Sequence, residues 1–500
     1  MRPLTRVWLA AALYTALYSW FCVQRAVSAY YGDPDYGLFQ QSFWTTLNEG
    51  WLFYNTYESG THFSKHNSPI LFLVLPFYAA LPRLETLLVV QTAAIALGAV
   101  AVFKLAALLV DEESAVLLAW SYLLYHPMHG VSYDQFNELA FLPAPLLFAF
   151  YFMVQRRMGW FWACITASLA CKEDVPFVTF GLGLYMIWLG RNTRRESESP
   201  DRLVRHGQLL ALISVAWLLL SLRVIFPLLR DGATWPYFRE RYGQFGRDFT
   251  EVALNLLAHP WIIVPYLLRR HALLVLVELT APLAFLPFRA PAVAAIPLAT
   301  WVVLQLSSFG AMHNCGSRYM APVIACMFAA AIVGLRNVVA ATAISDDAVE
   351  QAAQRRQIGL RWSRWVLALT TLSTFALDTT PMRFPFRGIR RPTAHQIARN
   401  ALAERVPASA SVSTQPEFYA PLSRRADVWL GYHPGTDYVL VDPAPDFTGH
   451  ATWFDHARWN VNLPQILARG EYVMVDKADG AVLLRRVPWA MRGARRPTAP

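Results

Sequence analysis

The feature that most constrains this chain is its succession of long apolar runs, among them Val7 to Val27, Thr86 to Leu109, Leu209 to Phe226 and Tyr319 to Leu335. Runs of this kind approach the ~20 residues an α-helix needs to cross the hydrocarbon of a bilayer. In lipid every backbone N–H and C=O must find a partner within the protein, so such runs fold as helices. Composition agrees: 55% of the 500 residues are hydrophobic and only 16% are charged, whereas a soluble domain carries roughly 25% charged residues. The expectation is a polytopic α-helical membrane protein with about 10–12 transmembrane helices.

The placement of arginine sets the topology. Arg2 and Arg6 precede the first run, and basic residues stay on the cytoplasmic side. The N-terminus is therefore expected inside, and the first run delivers Asp33-Pro34-Asp35-Tyr36-Gly37 to the outer surface of the cell membrane. Val27-Ser28-Ala29 has a signal-peptidase look, but Trp20 and its aromatic neighbours suit an uncleaved anchor better. Gln155-Arg156-Arg157 and Arg191-Asn192-Thr193-Arg194-Arg195 are two further cytoplasmic signatures. Two basic loops on one side need an even number of crossings, so the stretch between them is read as a helical hairpin turning at Lys172-Glu173-Asp174 on the outside. Its arms are short, which would sink the turn below the membrane surface. Pro227 to Arg270 reads as an aromatic, mixed-charge outer loop with surface helices. The net charge of +10 is thus explained by cytoplasmic arginine and attraction to anionic lipid, and no nucleic-acid partner is expected. The five cysteines lie in or beside apolar runs without paired or metal-ligand spacing and read as small apolar fillers.

The membrane domain is expected over residues 1–378, with a first outer loop at 28–68. Residues 379–490 read as a small extracytoplasmic α/β domain. Ser411-Val412-Ser413-Thr414, Tyr438 to Asp442, Tyr472 to Val475 and Ala481 to Leu484 carry the β-branched and aromatic content of short strands, and Leu463 to Ala468 reads as a helix. Residues 491–500 read as a disordered tail.

Asp33, Asp35, His66, Asp134, Glu138, Lys172, Glu173, Asp174 and Arg318 all fall at outer ends of apolar runs. Ionisable groups at such boundaries are costly unless paired, hydrated or functional. Asp35 could act as a general base or hold a divalent cation with Asp33. Asp33 before Pro34 also has the pattern of a helix cap. His62 and His66 stand four apart and would share a helix face able to bind a metal, although Asn67-Ser68-Pro69 argues for a loop. Asp134 and Glu138 are also four apart. They serve either the dipole at a helix start or a polar wall around a sugar. Lys172 could meet a phosphate as a point charge, and Arg318 could supply the bidentate partner. An internal ion pair or snorkelling is the alternative for both.

Several of these residues lie in blocks that resemble a known family. They are Asp35-Tyr36-Gly37-Leu38-Phe39-Gln40-Gln41-Ser42-Phe43-Trp44, His66-Asn67-Ser68-Pro69-Ile70-Leu71, Cys171-Lys172-Glu173-Asp174 followed by Gly181-Leu182-Gly183-Leu184-Tyr185, and Arg318-Tyr319. In this order, across most of residues 10–485, they resemble the membrane-protein family catalogued as domain of unknown function 2079, which is grouped with the type C (GT-C) glycosyltransferases. The resemblance implies a multi-spanning GT-C-like fold, a polyprenyl-phosphate-linked sugar as donor, and an acidic motif in the first outer loop, whose position Asp35 matches. Where Phe136 and Asn137 stand, the family favours a His between two acidic residues. That departure weighs against a metal or proton-relay role for this loop.

The function these readings lead to is inverting transfer of a hexosyl or pentosyl group from a polyprenyl-phosphate donor to a glycan, lipid or protein acceptor at the outer face. Asp35 would be the catalytic base or a metal ligand. Lys172 and Arg318 would hold the phosphate, and Asp33, His66, Asp134, Glu138, Glu173 and Asp174 would help to line the substrate site. No cofactor is implied beyond a divalent cation. A transporter or flippase for a lipid-linked or anionic solute is the rival reading, although no internal repeat of the transporter kind is visible. A non-catalytic membrane scaffold is the third.

Overall fold

Residues 1–28, 33–192, 200–230, 236–342, 347–383, 392–443 and 462–487 are described in this computed structural model. The tail at 491–500, Ala29 and the Thr193-Arg194-Arg195 cluster lie outside them.

The helices run in order α1 (Pro3–Ser28), α2 (Pro34–Asn48), α3 (Leu71–Ala80), α4 (Leu84–Leu109), α5 (Glu112–Leu123), α6 (His126–Tyr133), α7 (Pro143–Val154), α8 (Met158–Leu169) and α9 (Pro176–Asn192). They continue with α10 (Pro200–Leu220), α11 (Phe226–Leu229), α12 (Pro236–Tyr242), α13 (Phe249–Ala258), α14 (Val264–Leu267), α15 (Arg270–Thr280), α16 (Pro291–Ala294), α17 (Leu298–Leu306), α18 (Ala321–Thr342) and α19 (Ala348–Leu377). The last three are α20 (Ala394–Ala403), α21 (Pro416–Leu422) and α22 (Leu463–Ala468).

Among the described residues four helices are long and apolar enough to cross a membrane: Pro3–Val27, Leu84–Leu109, Asp201–Leu229 and Arg318–Thr342. Their outward faces carry large apolar side chains, Leu13 and Leu212 among them, as lipid contact requires. The third of these spans contains one π-helical segment, Ser221–Ile225, between α10 and α11.

Other apolar runs fold into shorter pieces, and proline is the reason. The apolar run Leu273 to Phe288 ends as α15 at Thr280 and turns through Ala284 and Phe285, both left-handed, between Pro282 and Pro287. Val293 to Phe309 is likewise split into α16 and α17 around Pro297. Proline removes a backbone donor and clashes with the preceding turn, so an α-helix cannot run through it unbroken. The hairpin expected between the two basic loops is present as α8 and α9, and the aromatic, mixed-charge loop after α11 carries α12 and α13 over a small core of Tyr242, Phe245, Val252 and Leu306.

The chain divides into two compact units. The first comprises the described parts of Met1–Trp20, His66–Val74 and Val89–Gly388. The second comprises those of Phe21–Lys65, Leu75–Leu88 and Ile389–Pro500. Within the second unit, β1 (Tyr54–Asn55) pairs with β2 (Gly60–Thr61). The four strands expected near the C-terminus are β3 (Val412–Thr414), β5 (Tyr438–Val441), β6 (Tyr472–Ala478) and β7 (Ala481–Arg486); a fifth that was not expected, β4 (Val428–Leu430), joins them in the order β4-β3-β5-β7-β6. β3 runs parallel to β4 and β5, while β7 is antiparallel to β5 and β6. Alternate residues Val439, Val441, Val482 and Leu484 point to one core with Ile466 and Tyr472.

In the same unit α2 is fastened to α21 and β4. Gln41 donates from Nε2 to Ala426 O (2.8 Å), and its Oε1 accepts from Tyr419 OH (2.8 Å) and from Thr56 N (3.0 Å). Thr56 Oγ1 in turn donates to Val428 O. Tyr419 lies directly on Gly37, where an added Cβ would sit 2.3 Å from its Cδ1. Gly37→Ala should therefore displace the Tyr419 ring and lower stability by about 1–3 kcal/mol, the usual cost of overpacking. Thermal unfolding of the purified protein against wild type checks this.

Candidate functional site

The charged residues of the first unit converge where α8 meets α9. α8 stops at Leu169, Pro176 opens α9, and the turn between them carries Lys172-Glu173-Asp174. A backbone bond from Ile70 N to Ala170 O (2.8 Å) brings the segment His66-Asn67-Ser68 against it. Glu173 is then held from two sides: His66 donates from Nδ1 to Oε1 (2.9 Å) and Asn67 N to Oε2 (3.1 Å). Asn67 also donates from Nδ2 to Ser221 Oγ (2.8 Å), at the π-helical segment.

Glu138 enters from another segment. Its Oε1 accepts from Ser68 Oγ (3.5 Å) and lies 3.7 Å from Lys172 Nζ. Lys172 is only 5% exposed and sits 5.3 Å from the centre of the Tyr319 ring. Two guanidinium groups flank the same ring, Arg241 at 5.7 Å and Arg318 at 5.8 Å. Arg241 Nη2 also reaches Tyr319 OH (3.5 Å), and Arg318 Nε lies 3.7 Å from Asp134 Oδ2. Three cations contributed by three segments therefore surround one tyrosine. The segment leading to Arg318 and α6, which ends at Asp134, approach closely because Gly130 has no side chain. A Cβ there would fall 2.1 Å from Gly316 O.

Burial and charge act against each other in this cluster. Burial alone would lower the Lys172 ammonium, but the carboxylates of Glu138, Asp174 and Glu173, with Tyr319, more than offset it and hold the group above its ordinary value. Burial raises Glu173, while Lys172 and the backbone N–H donors restrain the rise. Burial likewise pushes Asp174 up to about 6, against the pull of Lys172.

The structure thus brings together His66, Asp134, Glu138, Lys172, Glu173 and Arg318, with Asp174 beside them in the same turn. It corrects two expected pairings. Asp134 and Glu138 do not share a helix face: Asp134 closes the C-terminus of α6, and Glu138 opens a separate 3-10 turn, Glu138–Phe141. Asn137 caps that turn by accepting from Ala140 N (3.0 Å), while its own N–H donates to Gln91 Oε1 (2.8 Å). Asn137 therefore has a structural task. His62 and His66 do not form a helical face either, because the helix containing His62 is a 3-10 turn that ends at Ser64. His62 Nδ1 pairs with Glu58 Oε2 (3.0 Å) and its ring packs on Phe39.

In the second unit Asp33 caps α2, its Oδ1 accepting from Asp35 N (3.1 Å), and Asp35 lies in the first turn of that helix. Among the described residues no group of three or more His, Cys, Asp or Glu side chains is arranged to hold a metal ion. The five cysteines are free thiols.

Sequence reasoning missed Arg241 and the buried pair His129 Nδ1–Asp378 Oδ2 (2.5 Å), and it named Tyr319 beside Arg318 in a family block without giving it a role. Arg241 stands in the aromatic, mixed-charge loop, which was its only signal.

A family model described as predicted membrane protein (DUF2079) matches residues 25–483. The chain belongs to the DUF2079 family. No curated protein matches this DUF2079 sequence. Among solved structures it is similar to ArnT from Cupriavidus metallidurans bound to undecaprenyl phosphate, with 14% identity and a TM-score of 0.49 over 96% of this chain and 98% of that one. The apo state of the same protein gives 12% and 0.49, over 98% and 99%. The archaeal oligosaccharyltransferase AglB from Archaeoglobus fulgidus, in complex with an inhibitory peptide and a dolichol-phosphate, gives 12% and 0.42, over 96% and 74%.

The raised Asp174 carboxyl gives this DUF2079 protein a pH signature. Folding favours its protonated form, so the stabilisation is complete below the ordinary aspartate range and is lost as pH climbs through about 6. Asp174→Asn should remove this component. The unfolding temperature of wild type should then fall relative to the variant between about pH 4 and about pH 7, as read by thermal unfolding in detergent.

Proposed function

We propose that this multi-pass membrane protein is a glycosyltransferase that moves a sugar from a polyprenyl-phosphate donor to a hydroxyl acceptor at the outer face of the membrane, with inversion. The observation that carries the reading is the convergence of Lys172, Arg241 and Arg318 on the Tyr319 ring. A lipid phosphate leaving group needs no proton donor, but the charge that develops on it needs fixed cations in a water-poor site. The distances between these cations and the carboxylates beside them support such a role. Lys172 Nζ and Arg318 Nε each stand 3.7 Å from a carboxylate oxygen, longer than a hydrogen bond, so a phosphate oxygen that comes closer would compete with the carboxylate for each cation.

Glu173 fixes the turn by binding His66 and Asn67, and so keeps Lys172 in place. His66 and Glu138 would contact the sugar or the acceptor. For Asp35 we propose the role of base toward the acceptor hydroxyl, a role resting on its place in the family's first block. The residues present offer no closed set of metal ligands among those described, so no step is routed through a cation. The N-terminus is placed in the cytoplasm and the C-terminal domain outside, as the arginine distribution indicates.

The decisive assay incubates purified protein in lipid with a panel of polyprenyl-phosphate sugars and measures consumption of each donor. Lys172→Met should lower turnover by about 10²–10³-fold, the loss expected when one preorganised charge-stabilising donor is removed. Asp35→Asn should abolish turnover while protein level and membrane insertion stay unchanged. Full turnover in either variant would remove that residue from the mechanism.

A further inference from the structure

The sheet of the second unit places a cluster of buried polar groups at one end. β3 leads through α21 to β4 on one side, whereas β5 lies on the other side of β3. The carboxyl ends of β3 and β5 therefore flank a topological switch point, where open α/β sheets leave a crevice for ligands. Gln415 follows β3 and Asp442 follows β5, and the two ends are tied by Asp442 N donating to Gln415 Oε1 (2.7 Å). α20 crosses this end and contributes His395 and, one turn later, Arg399. His395 donates from Nε2 to Asp442 Oδ2 (2.8 Å) and its Nδ1 meets Asp479 Oδ2 (2.9 Å).

Glu417 stands in this setting as an anomaly. It is 3% exposed, and neither carboxylate oxygen has a hydrogen-bond partner in another of the described residues. It stands in the first turn of α21, two residues beyond Gln415 and so at this end of the sheet; burial pushes its carboxyl up to about 7, with its own backbone N–H and Arg399 opposing the rise. A buried carboxyl without a donor is costly, and its persistence calls for a ligand that supplies one.

The surroundings select the class of ligand. A cationic ligand would meet Arg399, itself 3% exposed, and an anionic one would meet Glu417, Asp442 and Asp479. A neutral hydroxyl can donate to a carboxylate and accept from a guanidinium at once, and neighbouring hydroxyls on a sugar ring do both repeatedly. We propose that the polar cluster at the carboxyl ends of β3 and β5 is a saccharide-binding site in which Glu417 accepts from, and Arg399 donates to, ring hydroxyls of the acceptor glycan. Its assignment to the acceptor rests on the transferase reading above, whereas saccharide binding itself does not. The His395–Asp442 pair is a positioning element that sets α20, and so Arg399, against the strand ends. His395, with 19% of its side chain exposed, marks the mouth.

The test uses the full chain in lipid nanodiscs and saturation-transfer NMR with methyl α-D-glucopyranoside, methyl α-D-mannopyranoside and N-acetyl-D-glucosamine as probes. At least one probe should bind wild type, and Glu417→Gln should weaken it at least about tenfold, as loss of one charged hydrogen bond does. Arg399→Lys should weaken it comparably, and it replaces the first variant if that one fails to fold. Lys172→Met should bind the probe as wild type does. Absence of binding by all three probes, or equal binding by wild type and the folded variants, overturns the proposal. Glycoside binding that depends on Glu417 in a protein inert toward every lipid-phosphate donor would overturn the transferase reading and leave the saccharide site standing.

Discussion

The carboxylate of Glu173 joins parts of the chain that would otherwise have no reason to meet. It is buried at a turn between two short apolar helices, where an unpaired charge would be expensive. The cost is met by His66 and Asn67, whose segment arrives from far earlier in the chain. Once that contact exists, Ser68 comes to Glu138, Asn67 comes to Ser221, and Lys172 is fixed over Tyr319. Removing Glu173 would leave several polar groups unsatisfied together, so the cluster stands or falls as one network.

The second unit is organised by a neutral counterpart. The Gln41 amide accepts from Tyr419 and Thr56 and donates to the backbone at Ala426. A single amide can serve both directions because it carries a donor and an acceptor at opposite corners. This arrangement makes α2, the helix that begins at Asp33, part of the same compact body as the C-terminal sheet. An acidic first turn and an α/β domain are thereby built on one framework.

Much of this architecture could be read from residue patterns. The hairpin at Lys172 followed from two arginine clusters that had to share a side, and β5 and β7 followed from β-branched residues between turns. Asp33 was legible as a cap because proline stands next to it. Other features depended on contacts remote in sequence. Arg241 joins the cluster by packing against Tyr319, a relation no local period encodes. Asp134 and Glu138 have helical spacing, yet Asn137 and Pro143 start a new element between and after them, and capping overrode periodicity. The run from Leu273 has the apolar content of a crossing, but Pro282 and Pro287 break it.

The π-helical segment at Ser221–Ile225 has a wider consequence. A π-turn accommodates one residue more than an α-turn, so the helix on either side of it is rotated out of phase by about 100°. Up to Leu220 the helix can keep one stripe toward α9, while beyond it Arg223 is turned to the Thr250 hydroxyl. Excising a single residue after Ser221 would rotate everything downstream, Arg223 included, relative to the part of the helix that meets Asn67. In this helix, length is thus a functional variable in its own right, and variants should be aligned by register before they are compared by residue type.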